Sequence, residues 1–180
     1  MENNLELRMY GLVPYNISDI QKGIQYGHSV VKYGRKVQKD LGKDGNKFKP
    51  IYDQYIDWAD NHETFIILNG GTTNERKQDD GTYFGTLNNH LNELIKNDIY
   101  VSYFYEPDLG DQLTAATYIV DERVFNKKDY PDFKDWLIRE SIQDVDENSP
   151  YSVIYQKWVK EMGGKRNIFL REFLSNFRLA

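Results

Sequence analysis

The residue types able to do acid–base or ester chemistry in this chain gather in two short stretches. The first is GIQYGHSVVKYGRK, residues 23–36, which holds His28, one of three histidines. Gln21, Gln25, His28, Lys32, Arg35 and Lys39 follow one another at alternating steps of four and three, so on a helix they share one face. Every member of that stripe carries a hydrogen-bond donor, and its C-terminal half is basic. Such a face is either solvated, its cations favoured at the negative end of the helix, or turned toward a ligand with a half-shielded His28 at its border. The second stretch is YEPDLGD, residues 105–111, which sets Glu106, Asp108 and Asp111 directly after an apolar strand. Loops at strand ends are where α/β proteins usually keep their function. As structure alone, Glu-Pro-Asp is a turn, closed by the aspartate side chain. Glu106 or Asp108 beside His28 would make a carboxylate and imidazole pair able to orient water for ester cleavage.

Other chemistries find less support. His28, His62 and His90 lack metal-ligand spacing, so no metal site is expected. The absence of cysteine excludes disulfides, thiolate ligands and a cysteine nucleophile, and fits a reducing cytoplasm. Gly70-Gly71-Thr72-Thr73 after a strand is able to touch phosphate but matches neither a P-loop nor a dinucleotide fingerprint. Tyr10, Tyr26, Tyr33 and Tyr105 offer rings to a base, although packing is the default role of tyrosine. With a net charge of −5, the chain as a whole does not attract polyanions, and any nucleic-acid contact must come from a local patch. No apolar run suits a membrane span and no secretory signal is recognisable, so no membrane partner is expected.

The elements that must position these residues can be read from pattern. Residues 5–13 alternate and then turn apolar, which predicts a strand stopped by Pro14. Ser18 and Gln21 have the form of a capping box, opening a helix from about Asp19 to Lys39. On it, Ile20, Ile24, Gly27, Val31 and Gly34 form the stripe expected to face a sheet, with Gly23, Gly27 and Gly34 suggesting close backbone approach. Residues 40–50 read as an exposed loop and 51–61 as a short helix. Thr64–Leu68 reads as a buried strand, residues 72–81 as a mobile polar segment, and 87–95 as a helix. Residues 99–105 and 114–120 read as two further strands. About three helices follow, near 131–141, 151–162 and 167–177, around an acidic turn at 144–148. The expected architecture is α/β: a small four-stranded mixed sheet sandwiched by helices in residues 5–125, with a C-terminal helical extension, 126–180, packing on that core.

IQKGIQYGHSVV, residues 20–31, following an apolar strand, resembles the A-A-Q-x-x-H-A helix of the type 2 peptidyl-tRNA hydrolases, with Gln25 and His28 on the family's Gln and His. YFYEPDLGDQLTAATYIV, residues 103–120, resembles the family's later segment, where an acidic residue and a turn precede an L-T-A-type strand, in a version associated with viral members of the superfamily. The family's acidic residue falls on Glu106 or Asp108, and Thr114 is the hydroxyl nearest to the family's Pro-Gly-Thr. The G-K pair that precedes the A-A-Q stretch is replaced by Asp19-Ile20-Gln21, with Lys22 as a displaced lysine. The resemblance covers residues 7–120 and leaves the tail outside it. It implies a four-stranded mixed sheet, a homodimer in the cytoplasm (the host's, if viral), and a hydrolase without cofactor that releases peptide from tRNA.

Three functions are then in play. In the first, Glu106 or Asp108 with His28 positions or deprotonates a water, Gln25 and Thr114 hold substrate, and Lys32 and Arg35, on the stripe that begins at Gln21, contact phosphate. In the second, a phage counter-defence protein sequesters or cleaves a small nucleotide signal on the same fold, with tyrosines stacking the base. In the third, the C-terminal helices are a protein-binding module that exposes Phe169 and Phe173.

Overall fold

A computed structural model describes residues 5–81, 83–142 and 153–180 of the chain. Strand β1 (Leu7–Val13) leads into the long helix α1 (Asp19–Lys43), which is opened by the anticipated capping box. There Ser18 Oγ accepts the Gln21 N–H at 3.3 Å while Gln21 Oε1 accepts the Ser18 N–H at 3.1 Å. A cap of this kind contributes about 1 kcal/mol. Helix α2 (Gly45–Asp57) starts one residue after α1, so the loop expected over residues 40–50 does not form. Two aspartates explain the difference. Asp44 accepts the Lys47 N–H at 3.1 Å and caps α2, while Asp40 is buried and held by Lys36 at 3.0 Å, Lys43 at 2.9 Å and the Tyr100 hydroxyl at 2.9 Å. A π-helical turn, Trp58–His62, carries the chain into β2 (Thr64–Asn69).

After β2 comes a small hairpin, β3 (Arg76–Lys77) and β4 (Tyr83–Phe84), the first of its strands inside the polar segment 72–81 and the second just beyond it. Helix α3 (Thr86–Lys96), β5 (Ser102–Glu106) and β6 (Gln112–Asp121) follow, β5 and β6 being joined by a 3-10 turn at Pro107–Leu109. The sheet is four-stranded and mixed, in the order β2-β1-β6-β5, with β1 parallel to β2 and β5 antiparallel to β6. The fold class expected from sequence is therefore the one formed. β2 is an edge strand and not the fully buried one expected, with Phe65 51% exposed. Its outer side is met by the chain's last residues: Leu179 bridges Leu68, the Asn69 N–H donates to Arg178 O at 2.9 Å, and the Ala180 N–H donates to Ile67 O at 3.0 Å.

One sheet face packs on α1 and the π-helical turn through Leu7, Met9, Val13, Ala115 and Ile119 against Tyr26, Tyr33, Val37 and Trp58. On the other side, Leu87 of α3 meets Leu12 beside Gly70. The rotation of α1 corrects the sequence expectation. Ile20 is 78% exposed, Ile24 50% and Val31 63%, whereas Gln25, Tyr26, Ser29, Tyr33, Gly34 and Val37 are buried. Tyr26 and Tyr33 give the inward face large rings, and the Tyr26 hydroxyl donates to Met9 O at 2.7 Å. Nothing stands near a Cβ placed at Gly23 or Gly27, so those glycines serve no close approach. Gly34 does, because the Tyr55 hydroxyl occupies that space, and Gly11 of β1 likewise makes room for the Tyr26 ring.

The chain divides into two units, one of Leu7–Ile119 with Phe177–Ala180 and one of Val120–Asn176 with residues 5–6. The second holds α4 (Glu122–Phe125), α5 (Phe133–Arg139), α6 (Val153–Glu161) and α7 (Lys165–Leu174). Its core gathers Trp136, Leu137, Trp158, Val159 and Met162. The acidic turn expected at 144–148 lies outside the described residues. Phe173 is 3% exposed and Phe169 partly covered, so the exposed phenylalanine face of the protein-binding reading is not present.

Candidate functional site

Gln25 is the hub of the residues singled out by sequence. It sits on the second turn of α1 with 4% of its surface exposed. Its Nε2 donates to Glu106 Oε2 at 2.6 Å, and its Oε1 accepts the Thr114 hydroxyl at 2.9 Å. An ionised carboxylate only accepts, so the amide must turn an N–H to Glu106, and its carbonyl end then takes the Thr114 hydroxyl proton. Thr114 Oγ1 also lies 3.3 Å from Phe104 O, a weaker contact given the commitment of its one proton to Gln25. Glu106 is part-buried, and its other oxygen accepts the Asp108 N–H at 3.4 Å, within the 3-10 turn.

The meeting of Thr114 with Gln25 depends on an irregularity in β6. Neighbouring residues of a regular strand point to opposite faces, yet Ala115 belongs to the cluster beneath α1 and Thr114 also bonds a side chain of α1. The pairing shifts register at that point: Phe104 is opposite Ala115, Tyr105 is opposite Leu113, and Thr114 is the extra residue between. A bulge of this kind re-aims one side chain. Nothing in the residue types of LTAAT announces it.

One turn on from Gln25, the exposed His28 ring stacks on Phe104 with centroids 4.6 Å apart and an interplanar angle of 19°. Lys32 places its ammonium 4.6 Å from the same ring's centroid. Phe104 is the residue that the sequence reading missed. The alternation in SYFYE puts Phe104 on the inner face and Tyr103 and Tyr105 on the outer, and that was the available signal. Arg35 and Lys39 continue the exposed stripe. The remaining candidates lie apart from the hub. Gln21 is spent on the capping box, Lys22 pairs with Asp19 at 2.9 Å, and Asp108 is exposed on the turn with only its backbone turned to Glu106. Tyr10, Tyr26 and Tyr33 are core residues, and burial pushes the phenols of Tyr26 and Tyr33 far above their ordinary range.

The loop after β2 reaches the same end of the sheet, since the Thr73 hydroxyl donates to Leu113 O. Its other polar groups serve one another: the Thr72 N–H donates to Thr86 Oγ1 at 2.7 Å and the Thr86 N–H to Thr72 Oγ1 at 3.0 Å. The Gly-Gly-Thr-Thr stretch thus builds the loop and holds no hydroxyl in reserve for phosphate. Among the described residues, no group of three or more histidine, aspartate or glutamate side chains is arranged to hold a metal ion, and no helix is long and apolar enough to cross a membrane.

No family model, curated protein or solved structure matches the chain. What the site can do is therefore read from its own groups: a carboxylate with a fixed amide on one oxygen, a buried hydroxyl, and an exposed imidazole and ammonium over one aromatic ring.

Proposed function

We propose that the protein is an esterase of the peptidyl-tRNA hydrolase type, cleaving an acyl ester on a nucleotide-containing substrate. The observation that carries this reading is the Thr114–Gln25–Glu106 chain, in which a buried amide, held at its carbonyl end by a buried hydroxyl, donates to a carboxylate and holds it in one direction. A general base must be held within hydrogen-bond reach of the proton it takes, and such a chain fixes its direction. In the proposed reaction Glu106 takes a proton from a water as that water adds to the ester carbonyl. The tetrahedral intermediate then collapses, the ribose oxygen leaves with a proton, and the acyl group departs as the free acid. In this scheme His28, exposed on α1 and stacked on Phe104 of Glu106's strand, gives that proton as the imidazolium and regains one from solvent as Glu106 releases its own, while Lys32 meets the nearest phosphate. Gln25 is a positioning residue. Of the tyrosines that the small-nucleotide reading would use for stacking, Tyr10, Tyr26 and Tyr33 lie in the core and Tyr105 remains exposed.

Single-turnover cleavage of a blocked aminoacyl-tRNA tests the proposal, with wild type beside Glu106→Gln and His28→Ala. Glu106→Gln keeps the shape and the contact with Gln25, so the fold should persist and the rate should fall roughly a hundredfold or more. Intact substrate after incubation with wild type would remove the esterase reading, and full activity in Glu106→Gln would remove Glu106 as its base.

A further inference from the structure

Ile168, Arg171, Glu172 and Ser175 follow one another along α7 at steps of three, one and three, so they share a face. That face lines a cavity of about 230 Å³, which lies wholly within the unit Val120–Asn176. Trp158 of α6 forms another wall, and its indole N–H is taken by Pro131 O at 3.1 Å, so the ring has no polar demand left to meet in the cavity. The polar walls are of two kinds. Arg171 is 6% exposed, and arginine is seldom buried without a partner. Its Nε and Nη2 donate to Asp132 Oδ1 at 3.1 and 2.6 Å, and its Nη1 to Arg123 O at 2.6 Å. A guanidinium has five N–H donors, so one remains on each terminal nitrogen. Lys127 meets the other oxygen of Asp132 at 2.9 Å with one of its three N–H groups. Two cations thus share one carboxylate, and this corner keeps a positive excess and spare donors. Glu172 supplies the opposite chemistry, since it is exposed and its carboxylate has no partner among the described residues. The Ser175 hydroxyl gives its proton to Glu172 O at 2.6 Å, which leaves its oxygen as an acceptor.

We infer that this cavity is a binding site for a free α-amino acid with an apolar side chain. The ligand's carboxylate takes the remaining N–H groups of Arg171 and Lys127, its ammonium group meets Glu172 and the Ser175 oxygen, and its side chain lies against Trp158 and Ile168. A simple anion would answer only the donor corner and would be repelled by Glu172. A neutral apolar molecule would answer neither corner. Size narrows the class further: sites for drug-sized ligands run from ~300 Å³ upward, so this one suits a molecule of amino-acid size and is small for a nucleotide or a peptide chain. A buried arginine–carboxylate pair often stabilises a fold no better than apolar residues of the same volume, so a ligand gives Arg171 and Asp132 a use that folding does not. The cavity belongs to a different unit from Gln25, Glu106 and Thr114 and does not rest on the esterase reading.

Isothermal titration calorimetry on the full chain is the test. The probes are L-leucine, L-methionine and L-phenylalanine, each beside its amide, which lacks the carboxylate, and its deamino acid, which lacks the ammonium group. At least one amino acid should bind, with its amide and its deamino acid each roughly tenfold or more weaker. Glu172→Gln, at an exposed position, should keep the fold and bind that amino acid roughly tenfold more weakly, while its affinity for the deamino acid stays the same or rises. Arg171→Lys should lose the preference for the amino acid over its amide. Because Arg171 is buried, a melting curve shows whether that variant is folded, and where it is not, the ligand series and Glu172→Gln decide the question. Neither heat nor a rise in Tm with any of the three amino acids at up to ~10 mM would overturn the site. So would equal binding of the amino acid and either analogue, or an unchanged affinity in Glu172→Gln.

Discussion

Asp40 is a buried carboxylate whose environment works in two directions. Burial raises the pKa of its carboxyl, but hydrogen bonds from Lys43, Lys36 and Tyr100 outweigh that effect and hold it well below the usual carboxylate range. The same bond, with burial as the larger cause, pushes the Tyr100 phenol above its ordinary value. A carboxyl depressed in the folded state contributes stability that is present above its unfolded value, near pH ~3.9, and is lost as pH falls below it. Asp40→Asn should therefore melt lower than wild type at neutral pH, by about 1–2 kcal/mol, since the two lysines are partly exposed and screened. The gap should begin to narrow as pH falls below ~4, since the folded carboxyl is held well below that value. Thermal melts of both proteins from pH 7 to pH 3 measure it, and a constant gap would show that packing, not charge, is what Asp40 supplies.

Helix α1 sets the glycine question at the scale of an element. Gly23 and Gly27 face open space, so alanine at either position should raise stability by about 0.5–1 kcal/mol, as in any exposed helix interior. Gly34→Ala should lower it by about 1 kcal/mol, because the half-buried Tyr55 ring must move to admit a methyl group. Chemical denaturation of the three variants checks both signs. The helix also marks how far the sequence could be read. Its capped start was legible because Ser18 and Gln21 act locally. Its rotation was not, because the inward face is built from Gln25, Tyr26, Ser29 and Tyr33, whose burial depends on partners such as Met9 O and Ser102 O far along the chain. Its true end at Lys43 was hidden for the same reason, since Asp40 reads as a surface residue until Tyr100 is beside it. In the site, Gln25, His28, Glu106 and Lys32 were suggested by type and spacing. The part played by Thr114 needed the bulge in β6, which is a property of strand pairing and is absent from any single segment.

Across the whole molecule, the sheet is completed by residues that come last in the sequence. Phe177–Ala180 belong to the same unit as Leu7–Ile119, although Val120–Asn176 intervene. Deleting residues 177–180 removes two backbone hydrogen bonds to β2 and the Phe177 ring from its edge-on contact with His90, with centroids 4.8 Å apart. The truncated protein should lose about 2 kcal/mol of stability and should scatter light on warming at concentrations where the full chain stays clear, because β2 then presents a free edge beside the exposed Phe65. Unchanged melting and clear solutions would show that β2 does not need this cover.

That cover has a consequence for biosynthesis. During translation β1, α1 and β2 leave the ribosome before residues 177–180 and can begin to pair while the segment that shields β2 has yet to be added. At ~5–20 residues per second, the edge stays open for several seconds after β2 emerges. Nascent chains on one message are neighbours throughout that interval, each with the same unshielded strand.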